Sequence, residues 1–193
     1  VSIFLNLGEP QMKITIVNFS GRKNGNCQEI SKVIADVHSV DDTNVYNFCD
    51  INPAPCGKCE YECFSPDKQC PYQSDDVYNM YDKITSSDLT YFIVPNYCDY
   101  PNANYFIFNE RSQCFFQHHE QLLNRYLSVK KRFIVVSNTQ TQNFIAALSY
   151  QIPEGESPDI LFLPAKKYKK ISIDGDLMTS SQAKKAVEAF CQK

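Results

Sequence analysis

Apolar positions along the chain fall into two alternating rhythms. Ile14-Thr15-Ile16-Val17 opens a β-branched stretch over 13–19, which breaks at Ser20-Gly21 and passes through Arg22, Lys23, Asn24, Gly25 and Asn26. Ile30, Val33, Ile34 and Val37 then follow at the i, i+3, i+4, i+7 spacing of a helix with one buried face. The alternation recurs down the chain. Residues 44–48 read as a short edge strand. Val77, Met80, Tyr81 and Ile84 mark a helix started at Ser74-Asp75-Asp76. Residues 89–94 form a near-continuous apolar run, as in a strand buried on both faces. Pro95 ends it, a polar loop over 96–102 follows, and the pattern predicts one long helix over about 103–126. Strands at 132–136 and 160–163, a helix around 143–150 and a last helix capped at Ser180-Ser181 complete the set.

Five strands alternating with helices predict an α/β fold with a parallel sheet, because parallel strands need crossover helices. Ligands of such sheets bind beyond the carboxyl ends of the strands. Loops 20–26, 96–102 and 137–142 occupy that edge, and all three are rich in Ser, Thr, Asn and Gln. The first runs directly into a helix start, where unpaired amides and the positive end of the dipole suit a phosphate. The plain alternative is an ordinary βα turn with Asn26 as N-cap. Three polar loops at one edge favour a phosphate-bearing ligand.

Composition narrows the function classes. At 193 residues the chain fits one domain, and its formal net charge of −3 argues against nucleic-acid binding, which needs a basic face. The run Lys166-Lys167-Tyr168-Lys169-Lys170 reads as a solvated loop. No apolar run reaches the length of a membrane span. Residues 1–11, VSIFLNLGEPQ, lack the basic start and long apolar core of a secretory signal. They are expected to be an N-terminal extension or a remnant of expression or processing, with the functional domain at 12–193.

Nine cysteines, an odd number, without a secretory signal predict a reducing, cytoplasmic setting. Five of them fall within the Pro-rich loop 49–74. Cys56-x2-Cys59-x3-Cys63-x6-Cys70-Pro71 could supply four thiolates to a [4Fe–4S] cluster or a tetrahedral zinc, while packed or redox-active free thiols are the competing reading. Cys49, Cys114 and Cys191 are expected as small buried residues. Cys98 is the exception to watch, because it lies in the second edge loop. His118 and His119 are adjacent, so on a helix they point in different directions and suit a surface or an interface better than a metal. Tyr105, Phe106, Phe108, Phe115 and Phe116 are too dense for one helix face, which predicts a subunit interface, with core packing as the rival.

The edge loops resemble those of the flavodoxin-like NAD(P)H-dependent FMN reductases, and the cysteine segment that of the related iron–sulfur flavoproteins. Phe19-Ser20-Gly21-Arg22-Lys23-Asn24-Gly25-Asn26-Cys27 stands in register with that family's Gly-Ser-Pro-Arg-Lys-Asn-Gly-Asn-Thr. The resemblance implies that Ser20, Arg22, Asn24, Asn26 and Cys27 surround an FMN phosphate, Cys27 offering a weaker donor than the usual hydroxyl. Pro95-Asn96-Tyr97 and Glu110-Arg111 match the second motif, which implies that Pro95, Asn96, Tyr97 and Cys98 lie along the isoalloxazine ring. Asp99 stands where that family has glycine, and Phe106 where it has lysine. Ser137, Asn138 and Thr139 would form the third wall, without the usual glycines. In the cysteine segment the family's middle spacing is two residues, against three here between Cys59 and Cys63. The implied protein is a flavodoxin-like three-layer sandwich with a five-stranded parallel sheet. It would be an oxidoreductase moving electrons from NAD(P)H through FMN to a small-molecule or protein acceptor, and a homodimer or higher homo-oligomer. The alternatives are an electron-transfer protein holding FMN and a [4Fe–4S] cluster on Cys56, Cys59, Cys63 and Cys70, and a non-enzymatic module with structural zinc.

Overall fold

Five of the strands run parallel in the order β2-β1-β3-β5-β6, built from β1 (Lys13–Asn18), β2 (Asp42–Asn47), β3 (Leu89–Tyr97), β5 (Lys130–Val136) and β6 (Asp159–Leu163). A two-residue β4 (Tyr100–Pro101) turns back antiparallel on the end of β3. The helices are α1 (Asn26–Val37), α2 (Asp76–Thr85), α3 (Ala103–Phe116), α4 (Glu120–Ser128), α5 (Gln142–Leu148) and α6 (Ser181–Cys191). The computed structural model describes residues 11–57, 59–65 and 67–193, so the expectation for the N-terminal segment falls, apart from Gln11, outside the described residues. Counting the parallel strands alone gives the order 2-1-3-4-5, the doubly wound order of flavodoxin-like folds.

Strand alternation divides the interior into two cores. Ile14, Ile16, Leu89, Tyr91, Ile93, Ile134, Val136 and Leu163 face one way, against α1 and α6. Val17, Phe19, Phe92, Val94, Phe133 and Val135 face the other, against α2, α3, α4 and α5. Both faces are covered, which is why the central strands read as continuous apolar runs. The second core is aromatic. Tyr81 stacks on Phe108 at 4.2 Å between centroids, and Phe19 is ringed by Phe48, Phe92, Tyr105 and Phe108 at 5.0–5.5 Å.

That core corrects one expectation and shows how the aromatics of α3 pack. The helical stretch 103–126 is two helices, broken where His118 takes a left-handed φ of 64° and His119 N donates to the Phe116 carbonyl at 2.8 Å. The apolar rhythm hid the break because Phe115 before it and Tyr126 after it pack in the same core. The histidines therefore sit on a corner and not on a helix. The density of aromatics on α3 is explained by packing, with Tyr105, Phe108 and Phe115 buried in the core and only Phe106 of the set exposed. The expected caps of α2 and α6 are present, Asp75 accepting from Tyr78 N and Ser180 from Ala183 N. Among the described residues no helix is long and apolar enough to cross a membrane.

Lys131, at the start of β5, is buried and pairs with no carboxylate among the described residues. Its ammonium donates to the carbonyls of Tyr126 and Val129 and lies 4.2 Å from the centre of the Tyr126 ring. Burial lowers its pKa from the ordinary 10.5 to about 7. Between those values the unfolded chain binds the extra proton, so stability should rise with pH across that window. Denaturant titrations of the wild type and Lys131→Met should show the slope, on the order of a few kcal/mol in total, only in the wild type. Equal slopes would contradict the lowered pKa.

Candidate cofactor site

Parallel register carries the loops after β1, β3 and β5 to one edge of the sheet. The first of these loops meets the N terminus of α1. Gly25, and not Asn26, occupies the N-cap position, and it makes no side-chain cap. Among the described residues the amides of Asn26 and Cys27 therefore have no intrahelical acceptor and no capping side chain, while Gln28 N already donates to the Gly25 carbonyl at 3.0 Å. Arg22 N donates to Ser20 Oγ at 3.2 Å, which tightens the turn, and Asn24 takes the left-handed φ of 56° that asparagine tolerates. The exposed Arg22 guanidinium stands at this mouth, and Lys23 beside it pairs with Asp50 at 3.2 Å.

Two of the expected phosphate ligands use their side chains elsewhere. Asn26 donates through Nδ2 to the Ser172 carbonyl at 2.8 Å and accepts at Oδ1 from Leu177 N at 2.9 Å. Cys27 is packed into the core against α6, and burial pushes its thiol up to about 12. What both offer a ligand is the backbone amide.

Sequence reasoning missed the segment that holds this loop. After β6, residues 164–180 cross back over the sheet edge as a strap. Arg22 Nη2 donates to the Ile173 carbonyl at 2.7 Å, and Ser172 takes Asn26 on its carbonyl and Asn138 Nδ2 on its hydroxyl. Asn138 Oδ1 also accepts from Lys166 N at 3.1 Å, so the strap ties the first loop to the third. Its closest approach is at Gly175, φ 78°, where an added Cβ would lie 2.7 Å from the Asn24 carbonyl oxygen. A glycine in a polar, turn-rich stretch was the available signal.

The second loop is a tight hairpin. Cys98 and Asp99 both have positive φ, 52° and 71°, the pattern of a type I′ two-residue turn joining β3 to β4. Asp99 can occupy a position that favours glycine because its carboxylate accepts from Asn143 N at 3.2 Å and Asn143 Nδ2 at 2.9 Å, capping α5. Tyr97 and Cys98 are exposed, whereas Asn96 is buried and donates to Ser137 Oγ at 2.8 Å and the Gln140 carbonyl at 2.7 Å. Asn102 Nδ2 donates to the Phe19 carbonyl at 2.6 Å and Asn104 Nδ2 to the same oxygen at 2.8 Å. Among the described residues, the buried Oδ1 atoms of Asn96 and Asn102 have no partner. Ser137, Asn138 and Thr139 lie at the same edge, Ser137 Oγ accepting from Thr139 N at 3.2 Å.

Arg111 belongs elsewhere. It is 1% exposed and anchors the cysteine loop through Asp75, at 2.7 and 3.0 Å, and through the carbonyls of Ala54 and Tyr72. Within that loop Cys56, Cys59 and Cys63 are half-buried and Cys70 is buried. Among the described residues no group of three or more His, Cys, Asp or Glu is placed to hold a metal ion, so the four-thiolate reading gains no support over free thiols. The loop turns through a left-handed Tyr61 and a short 3-10 turn at Glu62–Phe64, while Cys70 is drawn inward to accept from Tyr72 N at 3.5 Å.

Several solved structures share this fold. They include the Trp repressor binding protein from Bacillus subtilis, 15% identical, covering 92% of this chain and 97% of that one with a TM-score of 0.59. Smu.1420 from Streptococcus mutans UA159 is also 15% identical, covering 94% and 100% with a TM-score of 0.60. FerB, a flavoenzyme NAD(P)H:(acceptor) oxidoreductase from Paracoccus denitrificans, is 14% identical, covering 94% and 96% with a TM-score of 0.53. At these identities the likeness is one of fold, and it bears out the flavodoxin-like sandwich. No protein-family model matches the chain, and no curated protein matches it in sequence.

Gly175→Ala tests the strap. The methyl group collides with the Asn24 carbonyl, and φ is unfavourable, so unfolding free energy should fall by about 1–3 kcal/mol. Calorimetry would show a lowered Tm; an unchanged Tm would mean that the strap yields freely.

Proposed function

We propose that the chain is an FMN-dependent oxidoreductase that passes electrons from NAD(P)H through bound FMN to a small-molecule or protein acceptor. The carrying observation is a pairing of features at one sheet edge. An uncapped α1 N terminus stands beside Arg22, and the buried amide oxygens of Asn96 and Asn102 lack donors. A phosphate satisfies the first feature. Buried acceptors without partners call for N–H donors, and an isoalloxazine ring carries an imide N–H between its two carbonyls. The residues present thus fit both ends of FMN, and fold relatives include a flavoenzyme NAD(P)H:(acceptor) oxidoreductase.

Bound FMN would supply the hydride and electron chemistry itself. The chain's residues bind and orient. Arg22, with the amides of Gly25, Asn26 and Cys27, holds the phosphate, while Ser20 and Asn24 set the turn that aims those amides. Pro95, Asn96, Tyr97 and Cys98 would line one side of the ring, and Ser137, Asn138 and Thr139 the other. No side chain is required as acid, base or nucleophile, because bound FMN would carry the chemistry.

Arg22→Ala combined with Asn24→Gly removes the one cationic side chain assigned to the phosphate and relaxes the turn without left-handed strain. FMN affinity, read by flavin fluorescence quenching, should fall at least tenfold, as expected for a charge-assisted contact of roughly 1.5–3 kcal/mol. Unchanged affinity in a variant with a native circular dichroism spectrum would sink the assignment.

A further inference from the structure

A second reactive feature lies under the cysteine loop, away from the sheet edge. Cys70 comes from that loop and Cys114 from α3, and both are 8% exposed. The two side chains are neighbours and line one cavity. Each sulfur is held by a neighbouring backbone group: Tyr72 N donates to Cys70 Sγ at 3.5 Å, and Cys114 Sγ donates to the Arg111 carbonyl at 3.1 Å. A cavity of about 290 Å³, lined also by Cys63, Gln73, Gln117 and His118, opens onto both sulfurs. The Arg111 guanidinium contacts Cys114 as well, and its Nε is buried without a partner. Burial pushes the Cys114 thiol up to about 12 despite the guanidinium, so Cys114 keeps its proton and suits the second, resolving step.

We propose that Cys70 and Cys114 form a redox-active dithiol that a peroxide converts to an intramolecular disulfide, tying the cysteine loop to α3. The peroxide transfers one oxygen to the Cys70 sulfur as its O–O bond breaks, giving a sulfenic acid and water. Cys114 sulfur then displaces the hydroxyl, which leaves with the Cys114 proton as a second water. Two thiols and one hydrogen peroxide thus become one disulfide and two waters. The bond would join segments already held together by Arg111. The pair cuts across the spacing motif: one partner lies in the cysteine-rich segment, and the other is forty-four positions away on a helix.

Sequence makes the test clean, because trypsin places Cys70 alone in peptide 69–83 and Cys114 alone in peptide 112–125. Reduced full-length protein is treated with a stoichiometric amount of hydrogen peroxide, alkylated, digested and mapped by mass spectrometry. The expected result is loss of the two alkylated peptides and their appearance as one cross-linked species, reversed by dithiothreitol. Cys63→Ser should leave this species unchanged and Cys114→Ser should abolish it. Pairing of Cys70 with the peptide carrying Cys59 and Cys63 would overturn the proposal, as would over-oxidation without a cross-link or no reaction. The wild-type map decides even if Cys114→Ser fails to fold.

Discussion

Backbone groups that leave a parallel sheet at its carboxyl edge lose their ladder partners, and in this chain asparagine side chains replace them. Asn18 accepts from Ser20 N and donates to Asn47. Asn102 and Asn104 converge on the Phe19 carbonyl, Asn96 reaches Ser137 and Gln140, and Asn26 and Asn138 hold the strap. Loops that would otherwise be separate are thereby linked from β1 through β3 to β5. A ligand entering this edge meets walls already ordered, which lowers the entropic cost of binding it.

The same arrangement explains why so polar a rim leaves few groups free. Most of its side-chain donors are spent on holding the loops. What remains for a ligand is a smaller set: first-turn amides of α1, the Arg22 guanidinium, and the unpartnered oxygens of Asn96 and Asn102. These remainders suit an anion at one end and an imide at the other. The cysteine loop is held on a different principle. One buried guanidinium, Arg111, gathers Asp75, Ala54 and Tyr72, and its 4.7 Å approach to the Tyr72 ring adds a cation–π contact. A charge so deeply buried is costly unless each of its partners stays in place, so the loop and α3 are ordered together.

Much of this was legible in the sequence. The five parallel strands, the caps at Asp75 and Ser180 and the place of the three loops follow from local pattern and capping chemistry, which tertiary contacts here reinforce. The break at His118 was not legible, since two helices on one core keep one apolar rhythm. Nor was the direction of each polar side chain. Asn26 and Cys27 stand where the family resemblance places phosphate ligands, yet one is turned to the strap and the other to the core. Arg111 was visible only as half of a motif, and its role depends on partners thirty-six to fifty-seven residues away. The cysteine spacing allowed a cluster, a zinc or free thiols, whereas the neighbourhood of Cys70 and Cys114 on one cavity is something spacing could not reveal.

The visible absorption spectrum of the protein as purified, followed by anaerobic addition of NADPH or NADH, tests the central claim most directly. The account predicts the two-banded yellow spectrum of oxidised flavin, bleached by the nicotinamide and restored by an acceptor. A colourless protein that takes up no FMN on reconstitution would contradict it, as would a broad brown iron–sulfur absorbance without flavin bands.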